Sequence, residues 1–386
     1  MKWFKKIFIL LMICIFIADF SSSYSSLNID NLIYVLAIGI DKGANNTLEV
    51  TFQFSNPLSV EASGSEKAET ITNTVTATSI SDAINSINSF QERQLNLSHC
   101  KIVIFSEELS SQGISDEIYT LINDTQIRPS SNIVVCKSKA KDYIEQTKPE
   151  FENLISKYYE TLANSSKYTG KTPNATLGNF FNALICKSCE PYAILGSING
   201  ENSAIQGNNK VQNLGVAVFK NDTLVGELNS NDTISFLNIK NSVNRFLISI
   251  PDPLNNNELI DLYVSPTKPT KIEVDTSTST PYIKIKCYFS ARIYSMAENS
   301  QYLSKDVLAA ISNSCNSYIE SMFLDYLYKT SKNYKSDISG FGNFALKNFL
   351  TTQDYENYNW RENYKNSFFH VNVDTSVKSG MLITAT

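Results

Sequence analysis

The chain reads as a multi-domain α+β protein with mixed or antiparallel sheets, packed helices and one long C-terminal amphipathic helix. Three observations predict this. The first half alternates short apolar or β-branched runs with segments of helical spacing, the last third holds two runs of period two, and one long stripe of helical period lies between those runs. A length of 386 residues gives room for two or three domains with ordinary cores.

Residues 32–41 are almost wholly apolar, the pattern of a strand buried on both faces. Residues 48–54 return with alternating polarity after a turn at Asn45 and Asn46, so a hairpin is expected. Residues 70–78 are rich in Thr and Val and read as a strand. Residues 79–91 follow as a helix with Ile80, Ala83, Ile84 and Ile87 on one face behind a serine cap. Another short buried strand is expected at 101–105. Ser106 caps a helix that restarts after Gly113 and runs through Ile118, Leu121 and Ile122, and Pro129 ends the connection to a strand at 132–137.

Helices are predicted at 139–147, 151–163 and 177–184, the last with Phe180, Phe181 and Leu184 on one apolar face, and a strand at 192–195. Residues 199–212 are polar, rich in Gly and Asn and without periodicity, which places the interdomain boundary near Gly207. The expected organisation is a leader over 1–23, an N-terminal α+β domain over 24–207 and a C-terminal α+β region over 208–386 with room for two subdomains.

Beyond the boundary, strands at 214–219 and 223–228 flank an Asn/Asp turn at 220–222. Short strands at 246–250, 259–264 and 271–275 are separated by Pro251, Pro253, Pro266 and Pro269. Ile283, Ile285, Cys287, Phe289, Ala291 and Ile293 alternate with polar neighbours, and the matching period of Phe369, Val371, Val373, Thr375 and Val377 makes that run the expected partner strand. Between them, Leu303, Val307, Leu308, Ile311, Cys315, Ile319, Met322, Phe323, Tyr326 and Leu327 recur at three- and four-residue steps. They form a core-facing stripe about seven turns long.

The first six residues carry three lysines, and residues 7–18 are uninterruptedly apolar before Asp19 and a serine run, which is the pattern of an export signal. As a helix those apolar residues reach roughly 18 Å, short of a hydrocarbon core near 30 Å. A cleaved leader is favoured over an uncleaved anchor in which Trp3 and Phe20 extend the apolar length and Lys5 and Lys6 snorkel. About 360 residues follow it. A charged fraction of 18% and a net charge of −5 imply no basic face and argue against a nucleic-acid partner. The close spacing of Tyr, Phe, Ile and Leu is the opposite of a disordered composition.

The residues offer no catalytic set and no cofactor or metal motif. His99 and His370 lie beside or within strand material, and no nucleophile elbow, Walker loop, dinucleotide fingerprint or H-E-x-x-H occurs. Asp41 and the pair Glu107 and Glu108 fall at strand or helix ends, where capping or solvation accounts for them. Cys100, Cys136 and Cys287 sit in apolar runs as small hydrophobes. Cys186 and Cys189 make one C-x-x-C without the second ligand pair of a structural zinc site, which leaves free thiols, a local disulfide or a redox pair open.

Several segments, in order, resemble the Ger(x)C or GerAC family, the lipoprotein-type C subunits of bacterial spore germinant receptors. Residues 29–32, leading into Ala37-Ile38-Gly39-Ile40-Asp41-Lys42, are similar to its N-terminal strand signature. Residues 97–109 resemble its "GHLKVIVIGEEL"-like run, and Ile127-Arg128-Pro129 its "IRP" junction. Residues 214–220 with Leu224-Val225-Gly226 are similar to the motif opening its C-terminal region. Asp337-Ile338-Ser339-Gly340-Phe341-Gly342, Trp360 and Val371-Asn372-Val373-Asp374 resemble its "DIFGFG", tryptophan and "V-x-V" ending.

The resemblance implies a non-enzymatic subunit of a nutrient germinant receptor, on the extracytoplasmic face of the spore inner membrane beside A-type and B-type membrane subunits. An extracytoplasmic small-solute-binding module, or an exported hydrolase whose acids, Ser or Cys gather only on folding, are the competing expectations. One departure is plain. The family's mature chain starts with a Gly-Cys-Trp-Asp-like tetrapeptide whose Cys is lipidated, and here Ser22-Ser23-Tyr24-Ser25 stands in its place, with Ser23 at the lipidation position. A serine hydroxyl does not replace a thiolate nucleophile, and Cys14 lies within the apolar run behind the large Ile13. Retention is therefore expected through an uncleaved leader, or through partner subunits after cleavage near Ser23.

Overall fold

The computed structural model describes residues 3–10, 12, 31–55, 70–149, 152, 154–164, 169–198, 211–255, 257–295 and 304–378. Of the expected leader, residues 3–10 and 12 are described and are helical. Ser23, Cys14 and Gly207 lie outside the described residues.

The first sheet takes β1 (Leu32–Lys42), β2 (Leu48–Ser55), β3 (Thr70–Ala77), β4 (Gln94–Asn96), β5 (Ile102–Ser106), β6 (Asn132–Cys136), β7 (Tyr192–Ile198), β8 (Val211–Lys220) and β9 (Thr223–Leu228). Its order is β3-β2-β1-β5-β6-β7-β8-β9, with β4 beside the start of β1. The strands β1, β5, β6 and β7 run parallel, and hairpins flank them on both sides. Helices cover both faces of the parallel centre, which is why residues 102–106 are all buried and the sequence there shows no alternation. Helix Ala140–Gln146 lies so close to β1 that a Cβ on Gly39 would come within 2.8 Å of Ile144 Cδ1.

The second sheet runs β10 (Phe246–Pro251), β11 (Leu259–Asp275), β12 (Tyr282–Ser295) and β13 (Phe368–Lys378). The expected pairing of the two period-two runs is present, parallel and in register from Tyr282 opposite Phe368 to Arg292 opposite Lys378. The long helix Lys305–Tyr328 is capped by Ser304 and buries Ile311, Cys315, Ile319, Met322, Phe323, Tyr326 and Leu327. Its Asn316 and Glu320 side chains accept from the backbone of Thr375 and Val373, which occupies N–H groups on β13 that face no further strand among the described residues.

One expectation is corrected, and one helix is unexpected. Instead of two strands broken at Pro266 and Pro269, β11 is continuous over Leu259–Asp275. Its pairing with β10 ends where Phe246 meets Val264, so beyond that point β12 alone among the described strands flanks it, and slips in register around Lys268 absorb the prolines. Helix Ser230–Ile239 has no counterpart in the sequence reading, because residues 232–239 are all buried and leave no amphipathic stripe to detect.

β7 pairs antiparallel with β8, and the first sheet continues through β9. The alternating faces of β8 serve two cores. Ala217 and Phe219 belong to the core of the first sheet, whereas Val216 and Val218 belong to the core shared with the second sheet. Phe180 meets Phe219 edge-on at 4.9 Å on one side, and Phe236 meets Tyr192 in the same way at 4.9 Å on the other.

Candidate functional site

A set of buried polar groups forms a clasp between these two cores. It is built by the segment 186–191, which follows helix Leu177–Ile185, by residues 336–343 after the long helix, and by helix Trp360–Tyr364. Asp337 is its centre. The buried carboxylate accepts from the backbone N–H of Gly340 at 2.9 Å, Phe341 at 3.0 Å and Gly342 at 2.8 Å, and from the indole N–H of Trp360 at 3.0 Å. The local sequence makes this arrangement possible. Gly340 adopts φ +78°, and Gly342 has no room for a Cβ, which would lie 2.3 Å from the Ser188 carbonyl oxygen and 2.7 Å from Trp360 Nε1.

The two segments are also joined directly. The Glu190 N–H donates to the Asp337 carbonyl at 3.1 Å, and the Ser188 hydroxyl donates to Asn343 Oδ1 at 2.5 Å. Glu190 is a second buried acid. It accepts from the Asn221 N–H at 2.6 Å and makes an ion contact of 3.2 Å with Arg361 Nε. Arg361 Nη2 donates to the carbonyls of Cys186 at 2.7 Å and Cys189 at 3.3 Å, and Nη1 donates to Asn221 Oδ1.

Burial pushes the Asp337 carboxyl above its ordinary value, against the pull of its four donors. Burial likewise raises Glu190, outweighing the Arg361 charge. Buried carboxylates held by fixed backbone donors lock geometry; only the rim of the clasp meets solvent. There a cavity of about 330 Å³ is lined by Cys186, Lys187, Tyr355, Glu356 and Arg361, with the ion pair Lys187–Glu356 across it.

The other residues singled out from sequence do not converge on this clasp. His99 is exposed beside the Tyr34 ring, 4.5 Å away, and His370 is exposed on β13. Asp41 is buried and caps a helix distant in sequence, accepting from the N–H groups of Ala140 at 2.7 Å and Lys141 at 3.0 Å. Glu107 and Glu108 occupy the first turn behind the Ser106 cap. Cys100, Cys136, Cys287 and Cys315 are buried, and Cys186 and Cys189 are free thiols of intermediate exposure. No group of three or more His, Cys, Asp or Glu among the described residues could hold a metal ion. Sequence reasoning singled out Asp337 and Trp360 within motifs but not as partners, and it missed Glu190 and Arg361. Nothing local marks an acid after a C-x-x-C, or a lone arginine, as halves of a contact spanning 171 positions.

Comparison with known proteins accounts for the order of these segments. The model described as "Spore germination protein N-terminal domain" matches residues 25–197, and the one described as "Spore germination B3/ GerAC like, C-terminal" matches residues 214–380. The chain belongs to the GerAC family. A Bacillus subtilis (strain 168) protein named for spore germination, YfkR, is 23% identical over 314 residues, covering 80% of this chain and 78% of that protein. The fold is that of the crystal structure of the GerBC protein, at a TM-score of 0.51 and 17% identity, covering 88% of this chain and 96% of that one. In GerAC terms, the clasp unites the two matched regions: Ser188 and Glu190 come from the first, and Asp337, Gly342, Trp360 and Arg361 from the second.

Proposed function

We propose that this GerAC-family chain is the extracytoplasmic C subunit of a nutrient germinant receptor. In this reading it sits at the spore inner membrane beside A-type and B-type membrane subunits and works through protein contacts, without catalysis. Family membership over both matched regions carries the reading.

Three features support it. The described part of the leader is helical, with Trp3, Phe4, Ile7, Phe8, Ile9, Leu10 and Met12 exposed, as suits a segment made for export machinery or a lipid surface. Among the described residues no helix is long and apolar enough to cross a membrane. The outer face of the second sheet is a ready contact surface. Exposed Lys268, Lys271, Lys284, Lys286 and Arg292 interleave there with tyrosines, and the Tyr288 ring has Lys268 at 4.8 Å and Lys286 at 5.3 Å. Glu273, Asp275 and Asp374 share that face, but its basic groups outnumber them, which in a chain of net charge −5 favours an acidic partner surface.

The test is deletion of the gene in a spore-forming host, scored against a panel of nutrients, together with co-purification of the receptor's membrane subunits on the tagged chain. Loss of response to a subset of nutrients and co-purification of both subunits are expected. Normal germination on every nutrient, or turnover of a substrate by the pure chain, would refute the reading. A tight amino-acid or sugar complex by calorimetry would favour the solute-binding module.

A further inference from the structure

Cys186 and Cys189 bracket the turn between helix Leu177–Ile185 and β7. Their surroundings are unequal. Cys186 lines the 330 Å³ cavity at the rim of the clasp and is also within hydrogen-bonding distance of the Ser188 hydroxyl, at 3.2 Å. Cys189 does not line that cavity, and a Cβ on Gly340 would lie 3.9 Å from its own Cβ. Both ends of the turn are fixed by one cation, since Arg361 Nη2 holds the carbonyls of Cys186 and Cys189 together. The pair is thus preorganised, reduced, and open to solvent from one side.

We propose that Cys186 and Cys189 form a thiol–disulfide exchange site whose substrate is a small-molecule disulfide, with Cys186 as the attacking sulfur and Cys189 as the resolving one. The Cys186 thiolate attacks one sulfur of the substrate, forming a mixed disulfide and expelling the other half as a thiolate. The Cys189 thiolate then attacks Cys186, forming the 186–189 bond and expelling the second half. The protein gives up two electrons and two protons, the substrate disulfide takes up both electrons, and the protons end on the two released thiols.

The thiols are tuned in the same sense. At Cys186 burial acts upward, but hydrogen bonds from Cys189, Ser188 and the backbone outweigh it and hold the thiol below its ordinary value. Burial, reinforced by the Cys186 and Asp337 charges, pushes Cys189 well above its own. The inference does not depend on the receptor reading.

The experiment equilibrates the full-length chain in detergent with glutathione buffers of graded potential, blocks free thiols with one alkylating reagent, reduces, and labels with a second. Peptide mass spectrometry then reads Cys186 and Cys189 separately. Both are expected to become protected together at one midpoint, with loss of two hydrogens, and Cys186 is expected to alkylate at least about tenfold faster than Cys189 in the reduced chain. Cys189→Ser should accumulate glutathione on Cys186, whereas Cys186→Ser should leave Cys189 unmodified. Independent protection of the two thiols, an absence of protection under fully oxidised glutathione, or capture of glutathione by Cys189 would each overturn the assignment. The wild-type titration decides the matter even where a variant fails to fold.

Discussion

The indole N–H of Trp360 donates to the Asp337 carboxylate at 3.0 Å, across 23 positions of chain, and this bond completes a ring of donors around a single buried charge. The remaining three are backbone groups of residues 340–342, which cannot turn away. Asp337→Ala should therefore strand several buried donors at once and destabilise the protein by about 3 kcal/mol or more, whereas Trp360→Phe leaves the backbone donors satisfied and should cost about 1–2 kcal/mol. Denaturant midpoints check this. An Asp337→Ala midpoint equal to that of the wild type would contradict the role given to the carboxylate.

The same carboxylate carries a pH signature. The unfolded chain releases the Asp337 proton near its ordinary value of 3.8, while the folded protein holds it to higher pH because burial raises the value. Between those two points the folded state binds more protons than the unfolded one, so stability falls as pH rises through the window. Glu190 acts in the same direction from its ordinary 4.5. Unfolding free energies measured from about pH 4 upward should show a shallower decline in Asp337→Asn than in the wild type. A steeper decline in the variant would reverse the sign of the argument.

Two glycines in one motif should respond differently to alanine. A Cβ on Gly342 meets a backbone oxygen at 2.3 Å, so the chain itself must shift, whereas at Gly340 the nearest atom is 3.2 Å away and the cost is the strain of φ +78°. Gly340→Ala should cost about 1–2 kcal/mol and Gly342→Ala more. Thermal unfolding of the two variants side by side tests the ranking.

Gly226 on β9 lies under the Tyr334 ring, where a Cβ would approach Cε1 to 2.1 Å, and the Tyr334 hydroxyl donates to the Glu227 carbonyl at 2.7 Å. Gly226→Ala should destabilise the protein by about 2 kcal/mol in the wild-type background and by clearly less when combined with Tyr334→Ala. A double-mutant cycle reads the coupling, and strict additivity would show that the ring is not what excludes the methyl.

Charge reversal on the outer face of the second sheet should separate contact from folding. Lys268→Glu, Lys271→Glu and Lys286→Glu together should keep the unfolding midpoint near that of the wild type, because these side chains are exposed, while slowing nutrient-triggered germination in the host. Normal germination with the triple variant would remove this face from the proposed function.

Much of the fold was legible because period carries burial. Ile283 to Ile293 and Phe369 to Val377 announced half-buried strands and their pairing, and the stripe from Val307 to Leu327 announced the helix laid over them. Legibility failed where period is erased or overridden. Residues 232–239 are covered on all sides, so no face differs from another, and Pro266 and Pro269 look like strand breakers until β11 is seen to have one neighbour at that point among the described strands. The clasp was half legible. Gly340, Gly342 and Trp360 stood out within motifs, but the contact between Glu190 and Arg361 depends on how distant segments meet, which no local window contains.

Because Ala217 and Phe219 face one core while Val216 and Val218 face the other, β8 is a common wall with no slack in it. A chain ending before β8 would lack Ala217 and Phe219 from the first core, and one beginning with β8 would present them without that core.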